Sequence, residues 1–422
     1  MNNDKLLEMF FQPKRWENAL SKGIDKEIRR ADLVWLASPE NRVKVYNAIK
    51  NGEYDIAPPH SALIPKDKPG EFRTVFVNEP IDRVVLSIAN DLFFEMTPEA
   101  IHPRCKSYLK GIGCGMVVQE ASRAICNTKG DVIGFKSDLS KYFDSVPIER
   151  VDEAFDMLES KCGKSALIDT VRRYYHFDWY FDTESGKMVS EYKSLKQGCA
   201  VAAWLADVVL YSIDEKMSKL DGYYVRYSDD MLFIGPDYQK AMDVLKNDMA
   251  SLGIHLNDKK TEWLTHTKWF KFLGFSIKGA DISLSGSRIK SFQKEIEART
   301  VKNRDAKFAS AVNAVNRYLY KGNGEFSWAT QVLPVVNVKR DVDELNKFVM
   351  DCLRAVKTNR RKVGGLGYVN TSKDGCIDRG RGRNVTANRQ KVPEIPNYKS
   401  IGCMQNAIKI NKALYHSLVA AM

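Results

Sequence analysis

Residues 223–235, YYVRYSDDMLFIG, are the stretch that decides the fold class. Two runs rich in aromatic and apolar residues flank Ser228-Asp229-Asp230, which predicts two antiparallel strands joined by a tight turn. Adjacent carboxylates at the tip of such a hairpin are able to reach a metal ion. An exposed Asp-Asp turn without function explains this stretch equally well when it is taken alone, because so short a motif often occurs by chance.

A third carboxylate ends another strand-like run, within FKSDLSKYFDSVP (135–147). Two-metal phosphoryl transfer needs carboxylates from separate strands to hold ions roughly 3.5–4 Å apart. Asp138 meets that need together with Asp229 and Asp230 if the two strands adjoin. By itself, Asp138 is more simply explained as the N-cap of a helix, and Asp144 as a cap or a surface acid.

The surrounding sequence alternates strand-like and helix-like segments, which predicts a sheet with helices on one face. The strand-like pieces are VIGFKSDL (132–139), YYVRYSDDMLFIG and KWFKFLGFSI (268–277), and the helix-like segments are 147–160, 197–218 and 237–251. Upstream, SALIPKDKPGEFRTVFVNEP (61–80) predicts a hairpin with a basic loop. Residues 1–55 predict short helices, and the pattern after residue 284 is again helical.

Composition points to a polyanionic partner. Lys plus Arg outnumber Asp plus Glu by 65 to 53, with a net charge of +12. This balance favours a polyanionic partner such as nucleic acid, but charge alone does not prove it, and a solvated basic surface is the alternative. The eight cysteines form no Cys-x-x-Cys pair, which indicates reduced thiols and no zinc framework. The N-terminus does not resemble a signal peptide, and the longest apolar run, 199–213, is too short to cross a bilayer. We therefore expect a cytoplasmic protein without a membrane partner.

Over about residues 57–340 these motifs, in this order, resemble reverse transcriptases of the retron, group II intron and bacterial defence type. The resemblance implies an α+β right-hand polymerase fold with fingers, a palm made of an antiparallel sheet backed by helices, and a helical thumb. The implied domains are a helical extension at 1–55, fingers at 56–130, a palm at 131–280 with a fingers insertion at about 160–195, a helical thumb at 281–356, and a basic tail and helix at 357–422.

The resemblance also implies a metal site and a sugar gate. DLSKYF (138–143) places Asp138 and the Leu139 carbonyl on the metal ions, and Asp229 and Asp230 complete the ligands. Two Mg²⁺ ions are expected, with Mn²⁺ as a substitute. Phe143 is expected to exclude a ribose 2′-hydroxyl, so that deoxynucleoside triphosphates are the substrates.

Further residues acquire roles in binding the nucleotide and the primer. The resemblance places Lys66 and Arg73 on the incoming triphosphate, Gln197 and Gly198 under the nascent base pair, Lys260 (or Lys259) near the leaving pyrophosphate, and Phe272, Leu273 and Gly274 in a primer grip. Arginine and lysine suit a triphosphate because they neutralise its charge. Each residue also has a purely structural explanation, as a solvated turn charge, a core aromatic side chain or a glycine at the start of a helix.

One departure bears on the biological setting. The family usually has Ser-Pro five and six residues after the glutamine, where this chain has Ala202 and Ala203. The sequence also shows no zinc-type cluster, HNH segment or RNase H carboxylate set. The compact bacterial defence-associated enzymes are the closest resemblance, which implies a noncoding RNA template, an RNA–DNA duplex and cDNA made during phage infection. The alternatives are a retron or group II intron enzyme, an RNA-binding scaffold with a vestigial palm, and an RNA-templated RNA polymerase. Phe143 argues against the last of these. The oligomeric state and the priming mechanism stay open.

Overall fold

The structure, a computed structural model, describes residues 4–22, 30–66, 70–303, 307–320 and 327–357. The chain divides into two compact units, the first within 1–110 and 133–263 and the second within 111–132 and 264–422. The predicted basic arm and its last helix lie outside the described residues. The predicted boundaries of extension, fingers, palm and thumb stay predictions.

The described residues form strands and helices along most of their length. The strands are β1 (His60–Pro65), β2 (Phe72–Val77), β3 (Gly134–Asp138), β4 (Trp179–Asp182), β5 (Lys187–Ser190), β6 (Tyr223–Tyr227), β7 (Asp230–Ile234), β8 (Glu262–Leu264), β9 (Phe270–Phe272), β10 (Phe275–Lys278) and β11 (Asp281–Leu284). The helices are α1 (Lys5–Phe10), α2 (Pro13–Lys22), α3 (Arg30–Ala37), α4 (Pro39–Lys50), α5 (Pro80–Met96), α6 (Cys114–Asn127), α7 (Tyr142–Ser145), α8 (Ile148–Cys162), α9 (Ala166–Tyr175), α10 (Ala202–Val208), α11 (Tyr211–Ser218), α12 (Tyr238–Ser251), α13 (Gly286–Arg299), α14 (Phe308–Tyr320) and α15 (Lys339–Lys357).

The central sheet has the strand order β6-β7-β3-β8. Strand β7 pairs antiparallel with both β6 and β3, so the hairpin predicted from YYVRYSDDMLFIG is confirmed. Helix α12 contacts β3 and β7, and α11 contacts β6. The expected α+β class, with an antiparallel palm sheet backed by helices, is therefore confirmed.

A second sheet in the first unit has the order β2-β1-β4-β5. Strands β1 and β2 form the hairpin predicted around the basic loop, with His60 opposite Val77 and Pro65 opposite Phe72. The β4–β5 hairpin was not predicted. Its alternating residues are exposed or only half-buried, so it lacks the pattern of buried and polar positions that identifies a strand.

A cluster of aromatic side chains lies in the core of the first unit. The Trp204 ring on α10 lies 5.2 Å from Phe93 and 5.9 Å from Phe155, and all three side chains are fully buried. The Trp204 indole N–H donates to the Thr97 hydroxyl at 3.0 Å. Burial of each such ring contributes roughly 2–3 kcal/mol, so the cluster fixes α10 against α5 and α8.

The second unit contains an antiparallel three-stranded sheet, β11-β10-β9, together with α6 and α13–α15. KWFKFLGFSI, which we expected to be one strand, is two strands with a turn at Leu273 and Gly274, whose φ angles are +48° and +78°. The helical pattern predicted after residue 284 is confirmed by α13, α14 and α15. Within the described ranges, no helix combines the length and the apolar character needed to span a bilayer.

Candidate active site

Three carboxylates meet at one end of the central sheet in the first unit. Asp138 is the last residue of β3 and lies directly opposite Asp230, the first residue of β7. Asp229 occupies the turn between β6 and β7, and its carbonyl accepts a hydrogen bond from the Leu139 N–H at 3.3 Å. The structure thus brings together Asp138, Leu139, Asp229 and Asp230, as the sequence predicted. Asp138 is not a helix N-cap, because α7 begins only at Tyr142.

The turn that carries Asp229 depends on Ser228. Tyr227 pairs with Asp230, so only Ser228 and Asp229 connect the strands, and Ser228 adopts a left-handed φ of +57°. Left-handed backbone costs a serine on the order of 1 kcal/mol. Such a conformation persists only where neighbouring groups hold it.

The carboxylates repel one another in partly buried positions. Burial, and then the charge of Asp138, raise the pKa of Asp229, while Lys260 and Arg73 act in the opposite direction. Burial and the neighbouring Asp229 and Asp138 raise the pKa of Asp230 to about 6. The repulsion among these negative charges is unfavourable, and a bound cation would relieve it.

Lys260 supplies part of the opposing charge. Its ammonium lies 2.9 and 2.8 Å from the two carboxylate oxygens of Asp138, although most of the Lys260 side chain is exposed. In the described part of the chain, no three His, Cys, Asp or Glu side chains are already gathered into a metal-binding cluster. Carboxylate oxygens nevertheless suit hard divalent cations, and the Lys260 ammonium occupies the two Asp138 oxygens that would bind one.

The predicted base-pair loop contacts the fingers hairpin through its backbone. The Phe76 N–H of β2 donates to the Gln197 carbonyl at 2.7 Å. Gly198 has a φ of +111°, and a Cβ there would lie 2.6 Å from the Phe76 carbonyl oxygen. Gly198 does not start a helix, because α10 begins at Ala202. The single helix expected from 197 to 218 is instead two shorter helices, α10 and α11. Glycine is required here for close packing.

The cationic side chains of the hairpin are exposed. Lys66 follows β1, and its N–H donates to the Glu71 carbonyl at 2.8 Å. Arg73 lies on β2 opposite Ile64, near enough to the palm for its charge to act on Asp229. Both are available to an anion, which is what their predicted role requires.

Phe143 lies on the short helix α7, five residues after Asp138, and is only partly buried. Its ring meets Tyr142 edge to face at 5.6 Å, and its carbonyl accepts a hydrogen bond from the Leu195 N–H at 2.9 Å. The predicted gate residue is thus joined through its backbone to the segment that leads into Gln197 and Gly198.

The predicted primer grip lies in the second unit. Phe272 pairs with Phe275 across the Leu273–Gly274 turn, and its side chain is buried. The Ser285 N–H donates to the Gly274 carbonyl at 3.1 Å. The Arg288 guanidinium donates to the Leu273 carbonyl at 3.5 Å, so the start of α13 stabilises this turn.

Sequence reasoning missed the residues that support Ser228. The Arg226 guanidinium is fully buried, donates to the Ser228 carbonyl at 3.3 Å, and pairs with Asp214 at 2.6 Å. The Tyr108 hydroxyl lies 3.1 Å from the Ser228 hydroxyl. Two features of the sequence could have indicated this support. Arg226 is a charged residue inside an apolar strand, and Asp207 is an acid inside an apolar run.

A comparison with protein families identifies the family of this chain. Residues 64–277, just over half of the chain, match the family model described as reverse transcriptase (RNA-dependent DNA polymerase). No curated protein matches the sequence.

Among solved structures, the chain is similar to three telomerase structures from Candida species. Apo telomerase from Candida tropicalis has 12% identity and a TM-score of 0.47 over 72% of this chain and 57% of that chain. A form of it truncated from the C-terminal domain has 15% identity and a TM-score of 0.42 over 56% of this chain and 58% of that chain. Telomerase from Candida albicans with a fragment of telomeric RNA has 12% identity and a TM-score of 0.41 over 74% of this chain and 60% of that chain. The chain spans less than two thirds of each of these proteins. On the family match, this chain belongs to the reverse transcriptases, the RNA-dependent DNA polymerases.

Proposed function

We propose that this chain copies RNA into DNA by nucleotidyl transfer at Asp138, Asp229 and Asp230. The observation that carries the proposal is the pairing of Asp138 with Asp230 across β3 and β7, with Asp229 in the adjoining turn. Membership of the reverse transcriptase family supports the same reaction.

In the proposed reaction the 3′-hydroxyl of a primer attacks the α-phosphorus of a deoxynucleoside triphosphate. A phosphodiester bond forms, pyrophosphate leaves, and the hydroxyl proton passes to solvent. The three carboxylates and the Leu139 carbonyl would hold divalent cations, Mg²⁺ or Mn²⁺. When bound, these cations would activate the attacking hydroxyl and stabilise the leaving oxygen.

The remaining residues would bind and select the nucleotide. Lys66 and Arg73 would neutralise the triphosphate, and Lys260 would stabilise the leaving pyrophosphate after release from Asp138. Phe143 would leave no space for a 2′-hydroxyl. The Gln197–Gly198 loop, packed on β2, would support the new base pair, and Phe272, Leu273 and Gly274 would hold the primer.

We further propose a dedicated noncoding RNA as the template and bacterial anti-phage defence as the setting. The support is the order of the motifs, the Ala202–Ala203 departure, and the lack of nuclease signatures in the sequence. The net charge of +12 suits tight binding of RNA and of an RNA–DNA duplex.

The direct test compares Asp229→Asn with Asp243→Asn, a matched change of an exposed acid on α12 of the same unit. Asp229→Asn should lower kcat for dNTP incorporation on primed RNA by on the order of a hundredfold or more, because it removes one charge from the reacting centre. Asp243→Asn should leave incorporation unchanged. Full activity in Asp229→Asn would exclude the assigned site.

The template is identified by sequencing RNA and DNA that co-purify with the chain, with and without phage challenge, beside Asp229→Asn. Abundant cDNA complementary to one bound RNA, absent from the variant, is the expected result. Bound RNA without cDNA in either sample would favour an RNA-binding scaffold with a vestigial palm.

A further inference from the structure

Four residues other than glycine have a left-handed backbone in the described part of the first unit, and they are Tyr108, Lys141, Lys196 and Ser228. Ser228 precedes Asp229, and the Tyr108 hydroxyl lies 3.1 Å from the Ser228 hydroxyl. Lys141 lies between Asp138 and Phe143. Strained backbone of this kind persists only where neighbouring groups impose it, and it clusters at functional sites. Lys196, which immediately precedes Gln197, therefore calls for a functional explanation.

The Lys196 side chain is buried together with its charge. Only 3% of the residue is exposed. The ammonium donates to the Tyr175 carbonyl, at the end of α9, at 3.4 Å, and lies 5.0 Å from the Tyr174 ring centre and 5.3 Å from that of Tyr175. Burial lowers the pKa of Lys196 to about 8, although Cys199 and Asp178 act in the opposite direction. The ammonium form therefore predominates at neutral pH.

A buried ammonium is an unfavourable choice for stability at this position. Among the described residues its partners are a carbonyl and two rings, and none is a carboxylate. Such contacts offset only part of the cost of removing the charge from water. Methionine has a similar length and no charge to desolvate, and replacing buried charges by apolar side chains is often neutral or stabilising. The lysine therefore has to be explained by the geometry that it imposes.

The contacts of Lys196 connect α9 and β2 to the predicted base-pair loop. The Asn78 side chain, just after β2, donates to the Tyr174 hydroxyl at 2.7 Å, and the Lys196 ammonium lies over the Tyr174 ring. The Phe76 N–H of β2 donates to the Gln197 carbonyl at 2.7 Å. Lys196 thus attaches the loop to α9, and Gln197 attaches it to β2.

The left-handed backbone of Lys196 lies between two turns. The Lys196 N–H donates to the Lys193 carbonyl at 2.8 Å, and the Cys199 N–H donates to the Lys196 carbonyl at 2.9 Å. Both hydrogen bonds span three residues, so the chain bends sharply on each side of Lys196. A change of φ at Lys196 would displace the Gln197 carbonyl from the Phe76 N–H.

We propose that Lys196 is a positioning residue for nucleotide addition, which fixes the loop of Gln197 and Gly198 against β2. Tyr174 and Tyr175 hold its ammonium, and that anchor keeps the backbone of Lys196 in the left-handed conformation. Lys196 acts through the loop and does not itself touch the nucleotide. This inference rests on the role proposed above for Gln197 and Gly198 under the base pair.

The test compares the full chain with its Lys196→Met variant and uses Lys193→Met as the matched control. Lys193 lies in the same segment, and its ammonium pairs with the exposed Glu191, so the control removes a charge without touching the anchor. Hydrogen exchange read by mass spectrometry reports the order of the loop in the absence of nucleotide and nucleic acid. Urea denaturation reports stability, and incorporation of one dNTP on primed RNA gives kcat and KM.

Lys196→Met should loosen the loop without weakening the fold. Peptides that carry the Phe76 and Cys199 amides should exchange about tenfold faster, because each amide loses a hydrogen bond to the loop backbone. Residues 223–235 should exchange as in the wild type. The urea midpoint should stay the same or rise, since no buried charge remains. Lys193→Met should match the wild type in all these measurements.

Kinetics separate positioning from a merely structural role. Lys196→Met should raise KM for the dNTP about fivefold or more and change kcat by less than about twofold, because the loop supports the bound nucleotide and the carboxylates are untouched. A structural defect would instead reduce the amount of active enzyme, and so kcat, at constant KM. That result, or unchanged exchange at Phe76 and Cys199, would overturn the proposal.

A second variant tests the anchor without changing the lysine. Tyr174→Leu removes one ring and should raise KM in the wild type but not further in Lys196→Met, because the ring acts through the ammonium. Additive effects of Tyr174→Leu and Lys196→Met would contradict the proposal. Faster exchange in Lys196→Met, beside a wild type that copies no RNA, would support the anchor and overturn the proposed function instead.

Discussion

Two hairpin turns, one in each unit, have the same backbone feature but are stabilised by different chemistry. Ser228 has a φ of +57° and Leu273 a φ of +48°. In each turn an arginine donates to the carbonyl of the left-handed residue, Arg226 to Ser228 at 3.3 Å and Arg288 to Leu273 at 3.5 Å. The surroundings of the two guanidinium groups differ.

Arg226 is surrounded by acids and Arg288 by rings. Arg226 pairs with Asp214 at 2.6 Å and lies 3.7 Å from Asp207, and although burial acts to lower its pKa, Asp214 holds that pKa well above the ordinary value. Arg288 lies 4.7 Å from the Phe275 ring centre and 5.7 Å from that of Trp328, and burial lowers its pKa. The turn that carries a carboxylate thus depends on buried ion pairs, which are costly to break, whereas the second turn depends on contacts that tolerate more change.

Arg226→Met should break the first turn. It leaves Asp214 buried without its cation, and removing one partner of a buried pair costs about 3–5 kcal/mol. Urea denaturation should show that loss, and dNTP incorporation should fall with it because Asp229 is displaced. Adding Asp214→Leu to Arg226→Met should recover part of the stability, since no uncompensated Asp214 charge then remains. A stable, active Arg226→Met chain would show that the pair does not hold the turn.

Asp207→Asn should change how stability depends on pH. Burial raises the pKa of Asp207 to about 6, and Oδ2 has no hydrogen-bond partner among the described residues. A carboxyl whose folded pKa exceeds its unfolded value lowers stability as the pH rises between the two values. Between about pH 4 and about pH 6, the free energy of unfolding of the wild type should therefore fall by about 3 kcal/mol relative to that of Asp207→Asn. Parallel curves for the two proteins would exclude this assignment.

Arg288→Met should have a smaller effect than Arg226→Met. It removes one hydrogen bond and two cation–ring contacts but leaves no buried charge, so the expected cost is about 1–2 kcal/mol. Lys290→Met, an exposed change on the same helix, serves as the control in thermal unfolding. A loss as large as that for Arg226→Met would remove the distinction between the two turns.

Gly274→Ala should lower the free energy of unfolding by no more than Arg288→Met does. Gly274 has a φ of +78°, and a Cβ there would lie 3.1 Å from the Arg288 guanidinium. We expect a cost of about 1–2 kcal/mol, against about 1 kcal/mol for Gly186→Ala, which has a φ of +67° and open space. The difference in unfolding free energy measures how firmly the rings hold Arg288, and identical costs would mean that its side chain moves aside freely.

Features encoded within a few residues were predictable from the sequence. The β6–β7 hairpin follows from residues 223–235, and the position of Asp138 follows from a strand-like run together with the order of the motifs. The partners of Arg226 were not predictable, because Asp207 and Asp214 come from other elements and only the fold brings them together. The Leu273–Gly274 turn was missed because leucine seldom adopts a left-handed conformation. The β4–β5 hairpin was missed because its residues are exposed or half-buried and do not alternate between buried and polar positions.

The contact between Gly198 and Phe76 has a consequence for motion. The Gln197 carbonyl accepts from Phe76 N–H at 2.7 Å, and the missing Cβ lets the two backbones touch. Any rotation of β2 toward an incoming nucleotide therefore carries Gln197 and Gly198 with it. If Arg73, Gln197 and Gly198 have the roles proposed above, closure on the triphosphate and inspection of the base pair would be a single concerted step. A mispaired nucleotide that displaced the loop would then also move Arg73 away from the phosphates.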